Sequence, residues 1–184
     1  DKILDKAENK GTGSWSSKTA MDLGIPTTMM TSAVFARYLS SFKSTREQLS
    51  KQLQSQKQAD YSLDLKTMEQ AYCFARIINH HQGFEIISEA SKTFHWNLNL
   101  SEISRIWTNG CIIRSQLMQD ASSYLKEHKD LFSHQDSFES LQISESSIAQ
   151  VLQLAISNRV PLDTFWAAYT YWISMTTKRL PANL

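Results

Sequence analysis

The stretch DLKTMEQAYCFARIINHHQGFEIISEASK, residues 64–92, decides the fold of this chain. Apolar side chains recur in it at helical spacing, and they occupy so much of the circumference that a helix formed here must be covered on several sides. Asp64 can cap its first turn, and no proline interrupts it. We therefore predict a long helix from Asp64 to about Lys92 at the centre of a bundle. Its apolar stripe consists of Met68, Ala71, Tyr72, Ala75 and Ile78, widened by Phe74 and Ile77.

Composition favours helices for the rest of the chain as well. The 184 residues include five Gly and three Pro, well below the usual shares of about 7% and about 5%. Those two residue types supply the turns that strands need in numbers. With 41% hydrophobic and 20% charged residues, the chain lies in the range of globular rather than disordered proteins. The prediction is one all-α domain over residues 1–184, without strands.

Glycine, proline and capping residues, together with apolar spacing, divide the rest of the chain into further helices. In the first third of the chain we predict a short helix over residues 1–9, a helix from Ser16 or Ser17 through Leu23 with Gly24 at C′, and a helix from Pro26 toward Lys51. An exposed polar connection is predicted over residues 51–60. After the long helix we predict one from Asn99 or Ser101 through Leu125 with Gly110 inside it, one from Ser144 through Ala155, and one from Pro161 through Ile173.

The charge balance excludes several classes of function. A formal net charge of +1 leaves no basic stripe for nucleic acid. The longest uncharged aromatic stretch, residues 164–177, has 14 residues, whereas a membrane span needs about 18 or more. Charges at the start of the chain argue against a secretory signal. We expect a cytoplasmic protein with no nucleic acid and no membrane as partner, and a chain that can be part of a longer one.

The segment KGTGSWSS, residues 10–17, is the strongest candidate for chemistry. Gly11 and Gly13 allow main-chain N–H groups to approach a ligand closely, and the start of a helix adds partial positive charge. Lys10 can add a cation and Thr12 a hydroxyl, while Arg37, one helix later, offers a guanidinium fork. This pattern suits an anion site, but spacing alone favours a purely structural alternative. The alternative is a helix C-cap followed by a tight turn, since the third glycine of a dinucleotide fingerprint is replaced by serine.

Several motifs, in this order and spacing, resemble the C-terminal helical domain of decarboxylating 6-phosphogluconate dehydrogenases. The resemblance spans nearly the whole chain. Its motifs are Asp5-Lys6-Ala7, Lys10-Gly11-Thr12-Gly13-x-Trp15, Ala20-x-Asp22-Leu23-Gly24-x-Pro26, Ala33-Val34-Phe35-Ala36-Arg37, Gln70-Ala71-Tyr72, Gln82-Gly83-Phe84, Trp96-x-Leu98-Asn99, Ile106-Trp107-x-x-Gly110-Cys111-Ile112-Ile113-Arg114-Ser115 and Leu180-Pro181-Ala182-Asn183-Leu184.

The resemblance implies an enzyme that oxidises and decarboxylates 6-phosphogluconate with NADP, giving ribulose 5-phosphate, carbon dioxide and NADPH. It implies that Lys10 and Arg37 bind the phosphate end of the substrate with Thr12 beside them, and that Gly11 and Gly13 shape the loop. It also implies a homodimer made through this domain.

The same resemblance implies that other parts of the enzyme lie outside this chain. The NADP-binding Rossmann domain and the catalytic lysine and glutamate belong before Asp1. A tail with an arginine and a histidine that reach the partner subunit's substrate belongs after Leu184. We therefore predict no dehydrogenase activity for the 184 residues alone.

Three departures from the family pattern keep a second hypothesis open. Ser14 stands where a lysine is frequent, Thr108 where an arginine is usual, and residues 171–177 diverge from the family's stretch. The alternative is a catalytically silent helical homodimerisation module descended from such an enzyme.

Histidines and cysteines give weaker candidates. His80, His81 and Glu85 could offer metal ligands from one helix, but no second cluster accompanies them, so we predict packing or surface roles and no metal. Cys73 and Cys111 are predicted to be small buried hydrophobes.

Two further features have structural and functional interpretations. Arg114 is either a buried, paired structural arginine, which we favour, or part of an anion pocket. The aromatic stripe Phe165, Trp166, Tyr169 and Trp172 has helical spacing and indicates core or subunit interface.

Overall fold

The structure is a computed structural model that describes residues 3–7, 10–53 and 62–181. That part of the chain consists of helices and connections and contains no strand, so the all-α prediction is confirmed. No helix in it is both long and apolar enough to cross a bilayer. The helices are α1 (Thr12–Asp22), α2 (Thr28–Ser41), α3 (Lys43–Gln52), α4 (Leu65–Thr93), α5 (Leu100–Trp107), α6 (Gln116–Tyr124), α7 (Gln135–Ser157) and α8 (Asp163–Thr176).

Helix α4 is the central element, as predicted from its apolar circumference. Asp64 is its N-cap and accepts a hydrogen bond from the Thr67 amide at 2.7 Å. The helix packs against α7 and α8 along its first half and also contacts α2 and α5. Met68 and Tyr72, at the edge of the predicted stripe, stay exposed. The main core is formed by Ala71, Phe74, Ala75, Ile78, Leu141, Ile148, Leu152, Ala168, Tyr171 and Trp172.

Gln82 fixes the start of α2 against α4. Its side chain is fully buried, its Oε1 accepts from the Met29 amide at 3.0 Å, and its Nε2 donates to Thr28 Oγ1 at 2.9 Å. The amide thus serves as a cap supplied by a neighbouring helix, because α2 has no side-chain cap of its own. The position of α2 along α4 is therefore set by a buried hydrogen-bonded pair.

The predicted helix boundaries at the beginning of the chain need correction. Residues 3–7 are not helical, and residues 1, 2, 8 and 9 lie outside the described part. Helix α1 begins at Thr12 rather than after a cap at Ser16 or Ser17. Gly24 is at C′ with φ 70°, as predicted, and the Ile25 amide donates to the Ala20 carbonyl at 2.9 Å. Helix α2 begins at Thr28, so Pro26 is not its first helical residue.

Two predicted long helices are broken. The helix expected to run toward Lys51 ends at Ser41, because Phe42 is non-helical (ψ 41°) and Arg46 donates to the Ser40 carbonyl at 3.0 Å. The helix expected through Leu125 ends at Trp107, and Gly110, with φ 72°, lies in the link to α6. Of the predicted connection over residues 51–60, residues 51 and 52 end α3, and residues 54–60 are outside the described part.

The later helices also start elsewhere than predicted. Helix α7 begins at Gln135, nine residues before the predicted Ser144. The buried face of its first turns carries Ser137 and Ser144 where an amphipathic helix normally has apolar residues. Apolar periodicity therefore did not indicate a helix in this part of the sequence. Helix α8 begins at Asp163, two residues after Pro161. The aromatic residues predicted to form one stripe on α8 face different surroundings: Trp172 is buried in the core, whereas 38% of Trp166 is exposed.

Candidate functional site

The Lys10–Gly13 segment forms the N-terminus of α1. Gly11 is the N-cap residue with φ 91° and ψ −30°, a backbone conformation that side-chain-bearing residues rarely adopt. The Trp15 amide donates to the Gly11 carbonyl at 3.0 Å and closes the first helical turn. The first turn has neither a side-chain cap nor an acidic residue. The positive end of the helix dipole therefore lies at this point, with no acidic side chain of the first turn to offset it.

Helix α2 forms the opposite wall of the site at very close range. A Cβ added to Gly13 would lie 2.7 Å from Val34 Cγ2, so only glycine fits there without a shift. One turn further along α1, Thr31 Oγ1 donates to Ser17 Oγ at 3.2 Å. The two helices are thus held together by close packing at Gly13 and by a partly buried pair of hydroxyl groups.

Lys10, Thr12, Gly13 and Arg37 line one cavity of about 330 Å³ between α1 and α2. No Asp or Glu side chain of the described residues lines it. Four of the five site residues predicted from sequence thus come together, whereas Gly11 does not line the cavity and forms the turn before α1. The cavity is lined by Lys10, Thr12, Gly13, Ser16, Met30, Ala33, Val34 and Arg37.

The segment before Lys10 is held against the far end of α2 by contacts that sequence reasoning missed. The Ala7 amide donates to Ser40 Oγ at 3.0 Å, and that hydroxyl donates to the Arg37 carbonyl at 2.7 Å. Asp5 accepts from Lys43 Nζ at 2.6 Å and from Arg46 Nη1 at 3.2 Å. These contacts bring the chain past Arg37 just before it reaches Lys10.

The ion pairs of Asp5 with Lys43 and Arg46, called here the Asp5 clamp, shift the pKa values of the groups involved. Hydrogen bonds from Lys43 and then Arg46 hold the pKa of the Asp5 carboxyl below its usual value, and the Asp5 hydrogen bond raises the pKa of Lys43. The only sequence hint was that Asp5 belongs to a motif of the resembled family, since its partners lie 38 and 41 residues away.

His81 of α4 is engaged in packing. His81 is 3% exposed and its ring stacks on Phe132 with centroids 3.7 Å apart. Burial lowers the pKa of His81 to about 4, which keeps the ring neutral. Burial also raises the pKa of Glu85. Among residues 3–7, 10–53 and 62–181, no group of three His, Cys, Asp or Glu side chains is placed to hold a metal ion.

Three other predictions concerned Cys73, Cys111 and Arg114. Both cysteines are free, but Cys73 is exposed and Cys111 is half-buried, so the prediction of buried hydrophobes is wrong for Cys73. Arg114 is exposed in the link between α5 and α6 instead of lying within an apolar helix. The favoured prediction of a buried structural arginine is therefore wrong, because α5 ends at Trp107, before it reaches this residue.

Fold and cavity together define an all-helical domain with a cationic cavity at a helix N-terminus. The family model for the C-terminal domain of 6-phosphogluconate dehydrogenase matches residues 1–184. The chain belongs to the 6-phosphogluconate dehydrogenase family. The decarboxylating 6-phosphogluconate dehydrogenases of Lactococcus lactis subsp. cremoris and Escherichia coli are each 37% identical to it over its full length.

Solved structures place the fold in the same family. A Plasmodium falciparum 6-phosphogluconate dehydrogenase, studied in its apo form and in complexes with NADP+ and with 6-phosphogluconate, matches with a TM-score of 0.91 at 31% identity. The alignment covers 100% of this chain and 41% of that one. The chain also spans only 40% and 41% of the length of the Lactococcus and Escherichia relatives.

Proposed function

We propose that this chain supplies the substrate-phosphate site of a decarboxylating 6-phosphogluconate dehydrogenase. The observation that carries the proposal is that Lys10, Thr12, Gly13 and Arg37 line one cavity at the start of α1, with no carboxylate of the described residues in its wall. The relatives that match over the whole chain are decarboxylating 6-phosphogluconate dehydrogenases, which supports a sugar phosphate as the anion.

The cavity offers complementary charge from three directions. Lys10 contributes a point charge, Arg37 a planar fork, and the first turn of α1 its N–H groups together with the Thr12 hydroxyl. Each charge-assisted hydrogen bond contributes about 1.5–3 kcal/mol. Binding the phosphate end here orients the sugar acid and lowers the entropic part of the barrier to its oxidation.

The remaining chemistry is assigned to parts of the longer protein. The described residues contain no strand followed by a glycine-rich turn and helix, so they do not fit a dinucleotide, and we assign NADP binding to a region outside this chain. We propose that the complete enzyme converts 6-phosphogluconate to ribulose 5-phosphate and carbon dioxide with formation of NADPH. The 184 residues alone are expected to form no NADPH from 6-phosphogluconate.

We also propose that this domain makes a cytoplasmic homodimer. The exposed apolar residues of α8, Trp166, Ile173 and Met175, support an interface role for that helix. The size of the protein in solution, measured by analytical ultracentrifugation of the chain, tests this, and a monomer at all concentrations would contradict it for the chain alone.

The test of the site compares 6-phosphogluconate with gluconate, which lacks the phosphate. Calorimetric titration should show that Arg37→Gln and Lys10→Gln each weaken 6-phosphogluconate binding by about tenfold to a hundredfold. Binding of gluconate should not change. Lys18→Gln, an exposed lysine of α1 outside the cavity, is the matched control.

Two results decide against the proposal. If Lys18→Gln weakens binding as much as Lys10→Gln, the effect is general charge and not the cavity. If the folded chain self-associates but binds 6-phosphogluconate no better than gluconate, it is the silent dimerisation module.

A further inference from the structure

A second cavity, larger than the Lys10 cavity, adjoins it along α2. Its volume is about 570 Å³, within the range of about 300–1,000 Å³ typical of small-molecule sites. It shares Met30 and Ala33 with the Lys10 cavity and is otherwise formed by other elements. Its wall comes from α2, α4, the start of α8 and the link between α5 and α6.

Two arginines from separate elements line this cavity. Arg76 comes from α4 and Arg114 from the α5–α6 link. No Asp or Glu of the described residues belongs to the wall. Neither guanidinium is in an ion pair with any residue in the described ranges, in contrast to Arg46 and Arg105, which bind carboxylates. The Arg76 guanidinium instead lies 5.6 Å from the centroid of the Tyr72 ring.

Further hydrogen-bonding groups surround the two arginines. The Ser115 hydroxyl oxygen is inaccessible to solvent and has no hydrogen-bond partner within the described part of the chain. The Asn79 amide and the His80 ring also line the cavity. His80 Nδ1 lies 2.7 Å from the Arg76 carbonyl oxygen. Because a carbonyl can only accept, Nδ1 carries the proton, and Nε2 becomes a second donor when the ring is protonated.

We propose that this cavity is a second anion site, which binds a phosphate monoester between Arg76 and Arg114. The wall offers many hydrogen-bond donors: two guanidinium groups, a hydroxyl, an amide and, when protonated, an imidazole. These donors exceed what the two oxygens of a carboxylate can accept, whereas a phosphate group has enough oxygens for them. The apolar part of the wall, Met29, Ile113 and Phe165, accommodates the organic portion of the ester. The site does not depend on the function proposed for Lys10 and Arg37.

His80 supplies an internal reporter of occupancy. Burial lowers the pKa of this histidine, the hydrogen bond to the Arg76 carbonyl partly opposes that shift, and the charge of Arg76 lowers the pKa further. A phosphate dianion bound beside Arg76 offsets that charge and therefore raises the pKa of His80 toward its ordinary value. No phosphate bound only at the Lys10 cavity has this effect, since His80 does not line it.

The experiment titrates the chain with inorganic phosphate and follows the imidazole resonances of His80 by NMR. Phosphate should raise the pKa of His80, and Arg114→Gln should weaken this response about tenfold to a hundredfold. Arg179→Gln, an exposed arginine outside the cavity, is the control and should bind as the parent does. Acetate in place of phosphate should give a much weaker response.

The outcomes separate this site from the Lys10 site. Arg37→Gln should remove one phosphate from the calorimetric stoichiometry and leave the His80 response intact. If Arg37→Gln changes nothing while Arg114→Gln removes the response, the Lys10 proposal fails and this one stands. If the folded Arg114→Gln variant, checked by circular dichroism, responds as Arg179→Gln does, or if acetate acts as strongly as phosphate, the phosphate site at Arg76 and Arg114 is wrong.

Discussion

Replacing Gly13 by alanine tests the packing that brings the two halves of the candidate site together. The new Cβ would lie 2.7 Å from Val34 Cγ2, whereas carbon atoms in contact lie about 3.5–4.0 Å apart. Helices α1 and α2 must therefore separate by up to about 1 Å, or Val34 must leave its rotamer. Overpacking of this kind costs about 1–3 kcal/mol.

A matched glycine provides the reference for that cost. Gly83 lies inside α4, and a Cβ there would meet no atom within 4 Å. Gly83→Ala should raise the free energy of unfolding by up to about 1 kcal/mol through helix propensity alone. Gly13→Ala has much of the same propensity gain, so the two variants should differ in unfolding free energy by about 1–3 kcal/mol, with Gly13→Ala the less stable.

Urea unfolding followed by circular dichroism measures both variants. Adding Val34→Ala to Gly13→Ala should recover most of the steric cost, so the double-mutant cycle should be strongly non-additive. Equal unfolding midpoints for Gly13→Ala and Gly83→Ala, or an additive cycle, would refute the close approach of α1 and α2 at this point.

Three further perturbations follow from buried or capping groups. Gln82→Leu leaves the Met29 amide without its acceptor and should lower the free energy of unfolding by about 1–3 kcal/mol, measured by urea titration. His81 is neutral when folded, with a pKa of about 4 against 6.5 for a free histidine, so the unfolded chain binds more protons and stability should fall between about pH 6.5 and pH 4. The loss can reach about 3 kcal/mol, a figure that already includes the opposing charge of Asp130. The stability of His81→Phe should depend less on pH over that range. Asp64→Ala removes the N-cap of α4 and should lower the melting temperature, measured by circular dichroism.

The sequence predicted those parts of the fold that local chemistry determines. Asp64 and Asn99 cap α4 and α5 because a short polar side chain before an apolar run accepts from the first turn. Gly24 ends α1 because its positive φ requires a residue without a Cβ. Each of these features depends on residues within one or two turns of each other.

The boundaries that failed depend on contacts between distant residues. Helix α7 was predicted too short because the buried face of its first turns carries Ser137 and Ser144 in place of apolar residues. Ser147, in the part that was predicted, is buried as well and donates to Gln70 Oε1 at 2.7 Å, 77 residues away. The break at Phe42 depends on Arg46, which donates to the carbonyls of Ser40 and Asp5. Propensity and periodicity contain no information about such partners.

For the candidate site too, the residues close together in sequence were predicted and the contacts between distant residues were not. The glycines, Lys10 and Thr12 were found because their types and spacing suit an anion, and the structure places Arg37 in the same cavity. Their binding of substrate remains a prediction. The clamp of Asp5 with Lys43 and Arg46 could not be found locally, since it joins residues about 40 positions apart.

The electrostatics of the Lys10 cavity are consistent with the anion proposed for it. Helix dipoles favour acidic side chains at the first turn, yet α1 has none there and has Lys10 and Arg37 at the adjacent cavity. Placing cations at a positive helix end costs about 0.3–1 kcal/mol each at exposed positions. Where α4 uses the Asp64 carboxylate as its cap, α1 has a glycine whose φ of 91° is poorly accessible to Asp. Under the proposed function, a phosphate bound here would add an acceptor and a negative charge that no side chain in the first turn of α1 supplies.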